Sequence, residues 1–156
     1  MDEFLGIADQ MVIYNLRSSW FQISKLYNEM ALEHGTTVSM AFVLLAINED
    51  EGTPVTKIAP RLGMEPNSLS RILKSMEEKG FIFRKRDAVD KRMAFVCLTD
   101  LGKEKREVAL RAVFRLEKAI VNQIDEEKLA AFFEVARHIP DAIDEFKEKM
   151  AAYQIK

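Results

Sequence analysis

The chain has 156 residues, of which 48% are hydrophobic, and a formal net charge of −2. This length and composition fit one folded domain, or a small domain with oligomerising arms, and exclude a disordered chain. The lone Cys97 excludes an intrachain disulfide and a cysteine-built zinc site, and we expect neither metal nor cofactor. The acidic N-terminus and the lack of any apolar run longer than residues 40–47 predict a soluble, cytoplasmic protein without a membrane partner.

The charge is distributed unevenly along the chain. Residues 57–92 carry ten Lys or Arg and five Asp or Glu, whereas the other 120 residues carry 13 basic and 20 acidic groups. A local balance of +5 beside a remainder of −7 suits a domain that meets phosphate on one face only.

Apolar residues at steps of three and four, together with capping residues and glycine breakers, predict six helices. They cover residues 2–33, 38–48, 56–62, 66–79, about 100–124 and about 125–153. The predicted caps are Thr37 or Ser39, Thr99 and Asp125, and Gly63 is predicted to form the turn before the fourth helix. Pro140 lies within the last helix and predicts a kink or a restart, because proline removes one backbone hydrogen bond and clashes with the preceding turn.

Two runs rich in aromatic and β-branched residues, 81–86 and 93–98, predict a β-hairpin. Six connecting residues separate them, and this length predicts a hairpin with a protruding tip. This tip contains Asp90-Lys91-Arg92, in which the carboxylate can hold and orient the guanidinium for a narrow, A·T-rich minor groove. Taken alone, the triplet is common and fits a plain surface ion pair better.

The helix predicted over residues 66–79 has two contrasting stripes. Its apolar stripe has the spacing of a core-facing helix and consists of Leu69, Ile72, Leu73 and Met76. The opposite stripe consists of hydrogen-bond donors, namely Asn67, Ser70, Arg71 and Lys74. Short polar side chains suit base edges in a major groove, and long basic ones suit phosphate or a guanine edge. A solvated amphipathic helix is the alternative interpretation.

The order and spacing of four short segments can be compared with those of known protein families. The segments are Leu62–Leu73, Glu78–Ile82, Asp90–Arg92 and Leu98–Gly102. Their order and spacing resemble the multiple-antibiotic-resistance regulator (MarR) family of bacterial winged helix-turn-helix repressors over nearly the whole chain. The resemblance implies a mainly α fold with a small β-hairpin wing. It implies a DNA-binding head at residues 37–102 between dimerisation helices at 1–36 and 103–156.

The resemblance also implies which residues contact DNA. The helix at 66–79 would contact the major groove, and Arg92 would enter the minor groove beside Asp90. The implied contact residues are Pro66, Asn67, Ser68, Ser70, Arg71, Lys74, Asp90, Lys91 and Arg92. Two residues depart from the family pattern: Pro60 lies within the third helix, and Glu65 replaces a capping Ser or Thr. Glu65 would accept from a cytosine amino group or simply cap the helix.

Members of this family commonly bind small phenolic or lipid-like effectors between the dimer arms and the head. By resemblance, the effector cleft would draw on Tyr14, Trp20, Tyr27, Met40, Leu44 and Val108. Aromatic and methionine stripes more often form core, and that alternative stays open. Cys97 lies on a predicted strand and is expected to be a buried, inert thiol.

These observations predict a homodimeric transcriptional regulator, a repressor that binds a pseudo-palindromic operator in double-stranded DNA and is released by a small apolar or aromatic effector. The alternative is a winged-helix module that binds proteins without touching DNA. An enzyme is not expected, because no convergent set of nucleophile, base and orienting group is recognisable.

Overall fold

A computed structural model describes residues 6–86 and 94–154. Its elements are α1 (Val12–Glu33), α2 (Val38–Ala46), β1 (Thr53–Pro54), α3 (Val55–Leu62), α4 (Pro66–Glu78), β2 (Ile82–Arg86), β3 (Ala94–Leu98), α5 (Asp100–Val121) and α6 (Glu126–Gln154). The predicted class, mainly helical with a small antiparallel sheet, is confirmed. The chain divides into two compact units, one ending at Val113 and the other beginning at Phe114. The predicted boundaries after residues 36 and 102 stay predictions.

The first predicted helix is broken near its start. Residues 6–8 are helical, and α1 begins only at Val12, because Met11 has extended backbone angles of φ −90° and ψ 127°. The side-chain amide of Asn15 donates to the carbonyls of Asp9 and Met11 over 2.8 and 2.9 Å. These bonds satisfy carbonyl groups at the break. The prediction of one helix over residues 2–33 is therefore wrong, since the apolar spacing continues across a break that side-chain bonding stabilises.

Side-chain hydrogen bonds define both ends of α2. The hydroxyl of Thr37 accepts from the Met40 amide over 3.2 Å, so Thr37 is the cap between the two predicted candidates. After the helix, the buried Thr53 hydroxyl accepts from the Asn48 amide over 2.9 Å. The helix ends at Ala46, two residues before the predicted end.

The helix-turn-helix forms as its turn residues predict. Gly63 ends α3 in the left-handed conformation, with φ +60°, which glycine adopts without steric strain. Pro66 occupies the first turn of α4, where its missing amide costs no hydrogen bond. Pro60 lies inside α3, which continues to Leu62. Glu65 is the N-cap residue of α4 but its side chain makes no capping bond, which argues against the simple-cap interpretation.

A three-stranded antiparallel sheet in the order β1-β3-β2 contains the wing, the hairpin formed by β2 and β3. The pair Ile82 and Leu98 and the central Val96 are buried on its inner face. The third strand, β1, was not predicted, because its two residues are too few for alternation to detect. The sheet closes a core with α2, α3 and α4. Its fully buried members are Val43, Leu44, Ile47, Ile58, Leu69, Leu73, Met76 and Val96.

The start of α5 is packed tightly against the end of the α4–β2 turn. The Thr99 hydroxyl donates to the Gly80 carbonyl over 2.6 Å and accepts from the Gly102 amide over 3.0 Å. A β-carbon built on Gly102 would lie 1.9 Å from the Phe81 carbonyl oxygen. The predicted cap at Thr99 is thus present, and glycine at position 102 permits the close approach.

The last helix, α6, runs from Glu126 to Gln154 and includes Pro140. Of the two alternatives predicted at Pro140, the restart is excluded because the helix is continuous, and the kink stays a prediction. A proline inside a helix removes one hydrogen bond and crowds the preceding turn, and the flanking turns of this 29-residue helix continue through that local loss. Among the described helices, none combines the length and apolar character that crossing a membrane would require.

Candidate DNA interface

Helix α4 separates an apolar side from a polar one. Leu69, Leu73 and Met76 are at most 2% exposed and pack into the core. All six contact residues predicted on this helix are exposed, and they are Pro66, Asn67, Ser68, Ser70, Arg71 and Lys74. The packed side fixes the orientation of the helix, so these side chains form one outward-facing surface.

The donor side chains on this surface differ in whether they already have a hydrogen-bond or ion-pair partner within the protein. The side chains of Asn67 and Arg71 form no hydrogen bond or ion pair with any residue that the structure describes. Ser70 donates its hydroxyl to the Pro66 carbonyl over 3.0 Å, which leaves its oxygen lone pairs for a partner. The Lys74 Nζ lies 4.0 Å from the Glu78 carboxylate, and both side chains are well exposed. Such exposed pairs contribute at most about 1 kcal/mol, so Lys74 remains available to a phosphate.

The wing adds basic groups beside α4. Arg84, Lys85 and Arg86 follow one another on the exposed part of β2. The Arg84 Nε donates to the Glu77 Oε2 of α4 over 3.1 Å. The predicted tip residues Asp90, Lys91 and Arg92 lie outside the described residues, and their contact with a minor groove stays a prediction.

One basic residue of the charged segment has a structural partner that its position in the sequence does not indicate. The Arg61 Nη1 on α3 donates to the Ala46 carbonyl at the end of α2 over 3.1 Å. A cation at a helix C-terminus satisfies an unpaired carbonyl and interacts favourably with the helix dipole. The two residues are 15 positions apart, so spacing rules for a single helix carry no signal for this bond.

Four of the six residues predicted for an effector cleft fall into two groups, one in contact with Phe42 and one in the hydrophobic core. The Trp20 and Tyr27 rings of α1 lie 6.0 and 6.3 Å from the Phe42 ring of α2, measured between centroids. Met40 and Leu44, in contrast, are 6% and 0% exposed and belong to the hydrophobic core. Phe42 lies about 200° around the helix from each of them and faces α1 instead. The sequence does not single out Phe42, because α2 is apolar on both faces and periodicity does not distinguish them.

The remaining cleft candidates are less informative. Tyr14 and Val108 are half-buried, and among the described rings Tyr14 makes no contact with the Phe42 cluster. Membership of all six predicted residues in a cleft stays a prediction. Cys97 is half-buried on β3, opposite Phe83, and a β-carbon at Gly52 would lie 2.6 Å from its sulfur.

Two basic side chains tie the start of α5 to earlier parts of the chain. The Lys105 Nζ donates to the carbonyl of His34, the C-cap of α1, over 2.8 Å. The Arg106 Nη1 lies 3.3 Å from the Glu49 carboxylate in the turn after α2. The first turns of α5 are therefore held both to the end of α1 and to the turn after α2.

Comparison of the amino-acid sequence with known proteins finds similar transcriptional regulators. Residues 23–93 match the MarR family model. The transcriptional regulator SarZ of Staphylococcus epidermidis is 32% identical over 87 residues, which cover 56% of this chain and 59% of SarZ. The chain thus aligns with less than two thirds of that relative.

Solved structures share the fold at low sequence identity. The MepR–DNA complex of S. aureus has a TM-score of 0.77, with 21% identity and coverage of 85% of this chain and 98% of MepR. CouR of Rhodococcus jostii RHA1, bound to p-coumaroyl-CoA, has a TM-score of 0.76, with 19% identity and coverage of 85% and 93%. Residues 23–93 are thus similar to the MarR family, and the arrangement of α3, α4 and the wing gives this chain a winged-helix fold.

Proposed function

We propose that this protein is a cytoplasmic transcriptional repressor that binds double-stranded DNA sequence-specifically as a homodimer. The observation that carries the proposal is the donor surface of α4, where Asn67 and Arg71 are exposed and have no partner among the described residues. In this proposal α4 is the recognition helix and enters the major groove. The wing tip at Asp90, Lys91 and Arg92 contacts the adjoining minor groove. The names of SarZ and of the MepR–DNA complex support the same function.

A protein-interaction module is the competing function, and the character of α4 argues against it. A helix that docks onto a protein presents apolar or aromatic side chains at the centre of its contact surface. The exposed side of α4 presents an amide, hydroxyls, a guanidinium and an ammonium group. These groups match phosphates and base edges better than they match an apolar groove.

Exposed apolar side chains support the homodimer. In the unit that ends at Val113, Ile13 and Phe21 are 76% and 68% exposed. In the unit that begins at Phe114, Phe146 and Tyr153 are 64% and 81% exposed. Where such apolar groups form a contiguous patch, the patch commonly marks a contact with a partner. A second copy is the partner that also supplies a second recognition helix for a two-fold symmetric operator.

A selection experiment tests DNA binding and assembly together. Duplexes selected from a random library by the full-length protein are expected to contain an inverted repeat, with half-sites about one helical turn apart. Sedimentation velocity at micromolar concentration is expected to give a dimer. Failure to enrich any sequence would contradict specific DNA binding, and a stable folded monomer would contradict the assembly.

We further propose that a small aromatic effector releases the DNA. The cluster of Trp20, Tyr27 and Phe42 supports this, as does the bound p-coumaroyl-CoA of CouR. An effector weakens binding only if it favours a spacing of the recognition helices other than the ~34 Å between successive major grooves.

Trp20 is the only tryptophan, so its fluorescence reports on the cluster directly. Titration with p-coumarate is expected to change this fluorescence and to release selected DNA. The Phe42→Ala variant is expected to lose both responses while still binding DNA. DNA release that persists unchanged in Phe42→Ala would place the effector elsewhere.

A further inference from the structure

An ion pair joins the recognition helix to the wing strand. The Arg84 Nε donates to Glu77 Oε2 over 3.1 Å, across the turn at Gly80 that separates α4 from β2. Both side chains are partly exposed, at 42% for Arg84 and 35% for Glu77. Exposed pairs contribute little to folding stability, so this one is better placed to orient the wing than to hold the fold together.

The direction of Arg84 follows from the register of the sheet. Arg84 lies opposite Val96, and two residues earlier Ile82 lies opposite Leu98. Because side chains alternate between the faces of a strand, Arg84 shares the inner face with these buried residues. Arg84 therefore extends the inner face beyond the apolar core and meets α4 there. Lys85 points to the opposite face.

Glu77 is an unexpected residue on a helix that approaches DNA, because a carboxylate repels phosphate. Its neighbour Glu78 carries the same charge, yet its ion pair is with Lys74 of the same helix, at 4.0 Å. The partner of Glu77 belongs to the wing. Neutralising Glu77 therefore removes an ion pair between α4 and the wing. Neutralising Glu78 removes only an ion pair within α4.

We propose that Glu77 is a positioning residue that holds the wing strand on the recognition helix, so that both meet DNA as one rigid unit. This inference rests on the proposed DNA-binding function. Buried Phe81 and Ile82, and the bond from Thr99 to the Gly80 carbonyl, already hold the start of β2. The ion pair extends that hold two residues further toward the hairpin tip. A pre-positioned wing binds DNA without first losing conformational freedom.

The test compares full-length wild type, Glu77→Gln and Glu78→Gln. Each protein is titrated with a duplex selected by the wild type and with a random-sequence duplex of equal length. Each substitution removes one negative charge at adjacent positions of α4, so electrostatics alone predicts tighter binding by both variants. We expect Glu77→Gln to weaken binding of the selected duplex about two- to fivefold per recognition helix. We expect Glu78→Gln to tighten binding of both duplexes.

The Arg84→Gln background separates positioning from other effects. If Glu77 acts through Arg84, adding Glu77→Gln to Arg84→Gln only removes an acid and should tighten binding. This reversal of sign would not follow from a general structural defect, and thermal unfolding of each variant at equal concentration checks folding. The proposal is overturned if the single variant Glu77→Gln binds the selected duplex more tightly than the wild type. It is also overturned if Glu77→Gln weakens binding equally in the wild-type and in the Arg84→Gln background. If the wild type selects no duplex, the proposed DNA-binding function is contradicted together with the role of Glu77. If the wild type binds its selected duplex specifically and either of the two overturning results is found, only the role of Glu77 is contradicted.

Discussion

Arg71→Ala is expected to lower the affinity for a selected operator by about 30-fold to 20,000-fold per dimer. A guanidinium that forks onto a base edge contributes about 1–3 kcal/mol of discrimination, and a dimer makes this contact in two half-sites. Arg71 is suited to this role because it is exposed on the packed α4 helix and has no partner among the described residues. Discrimination at one base pair of each half-site should relax. Titration of the variant against operators substituted at single positions measures both effects.

Lys74→Ala is the matched control for Arg71, since it removes one positive charge from the same surface. If Lys74 contacts phosphate, its loss weakens all sequences alike. It also reduces the salt dependence of binding by about 0.9 per lost phosphate contact in each half-site. Equal losses of operator and random-duplex affinity in Arg71→Ala would show that Arg71 contacts phosphate rather than a base.

Gly102→Ala is expected to destabilise the fold by about 3 kcal/mol, the upper end of the usual effect of overpacking. The new methyl group would lie 1.9 Å from the Phe81 carbonyl oxygen and 2.9 Å from its carbon. These are backbone atoms between the recognition helix and α5, so no flexible side chain can move aside. For a chain of this size the melting temperature should fall by about 6–12 °C. Thermal unfolding at a fixed protein concentration measures the change.

Gly6→Ala is the control for Gly102, because among the described residues no heavy atom beyond its chain neighbours and its own helical turn lies within 4 Å of a β-carbon built at Gly6. Its melting temperature should stay close to that of the wild type. A Gly102→Ala protein that is as stable as Gly6→Ala would contradict the close packing of α5 on the Phe81 carbonyl.

The amino-acid sequence was sufficient for features that depend on neighbouring residues. The spacing of Leu69, Leu73 and Met76 predicts the buried side of α4 and therefore the exposed donor side. Gly63 marks a helix end, and Thr37 or Ser39 marks a helix start, because each acts on backbone groups within a few residues; the structure selects Thr37. These interactions act within one or two helical turns, which is the range over which periodicity and capping rules hold.

Contacts between distant residues required the folded structure. The Phe42 face of α2 is equivalent to the Met40 face in hydrophobicity, and only packing against α3 and α4 distinguishes the core face from the other. The strand β1 exists because β3 pairs with it, far along the chain. The bonds of Arg61 and Lys105 reach carbonyls 15 and 71 positions away. These residues become partners because folding brings them close together in space. Rules based on spacing along one helix or strand do not predict such contacts.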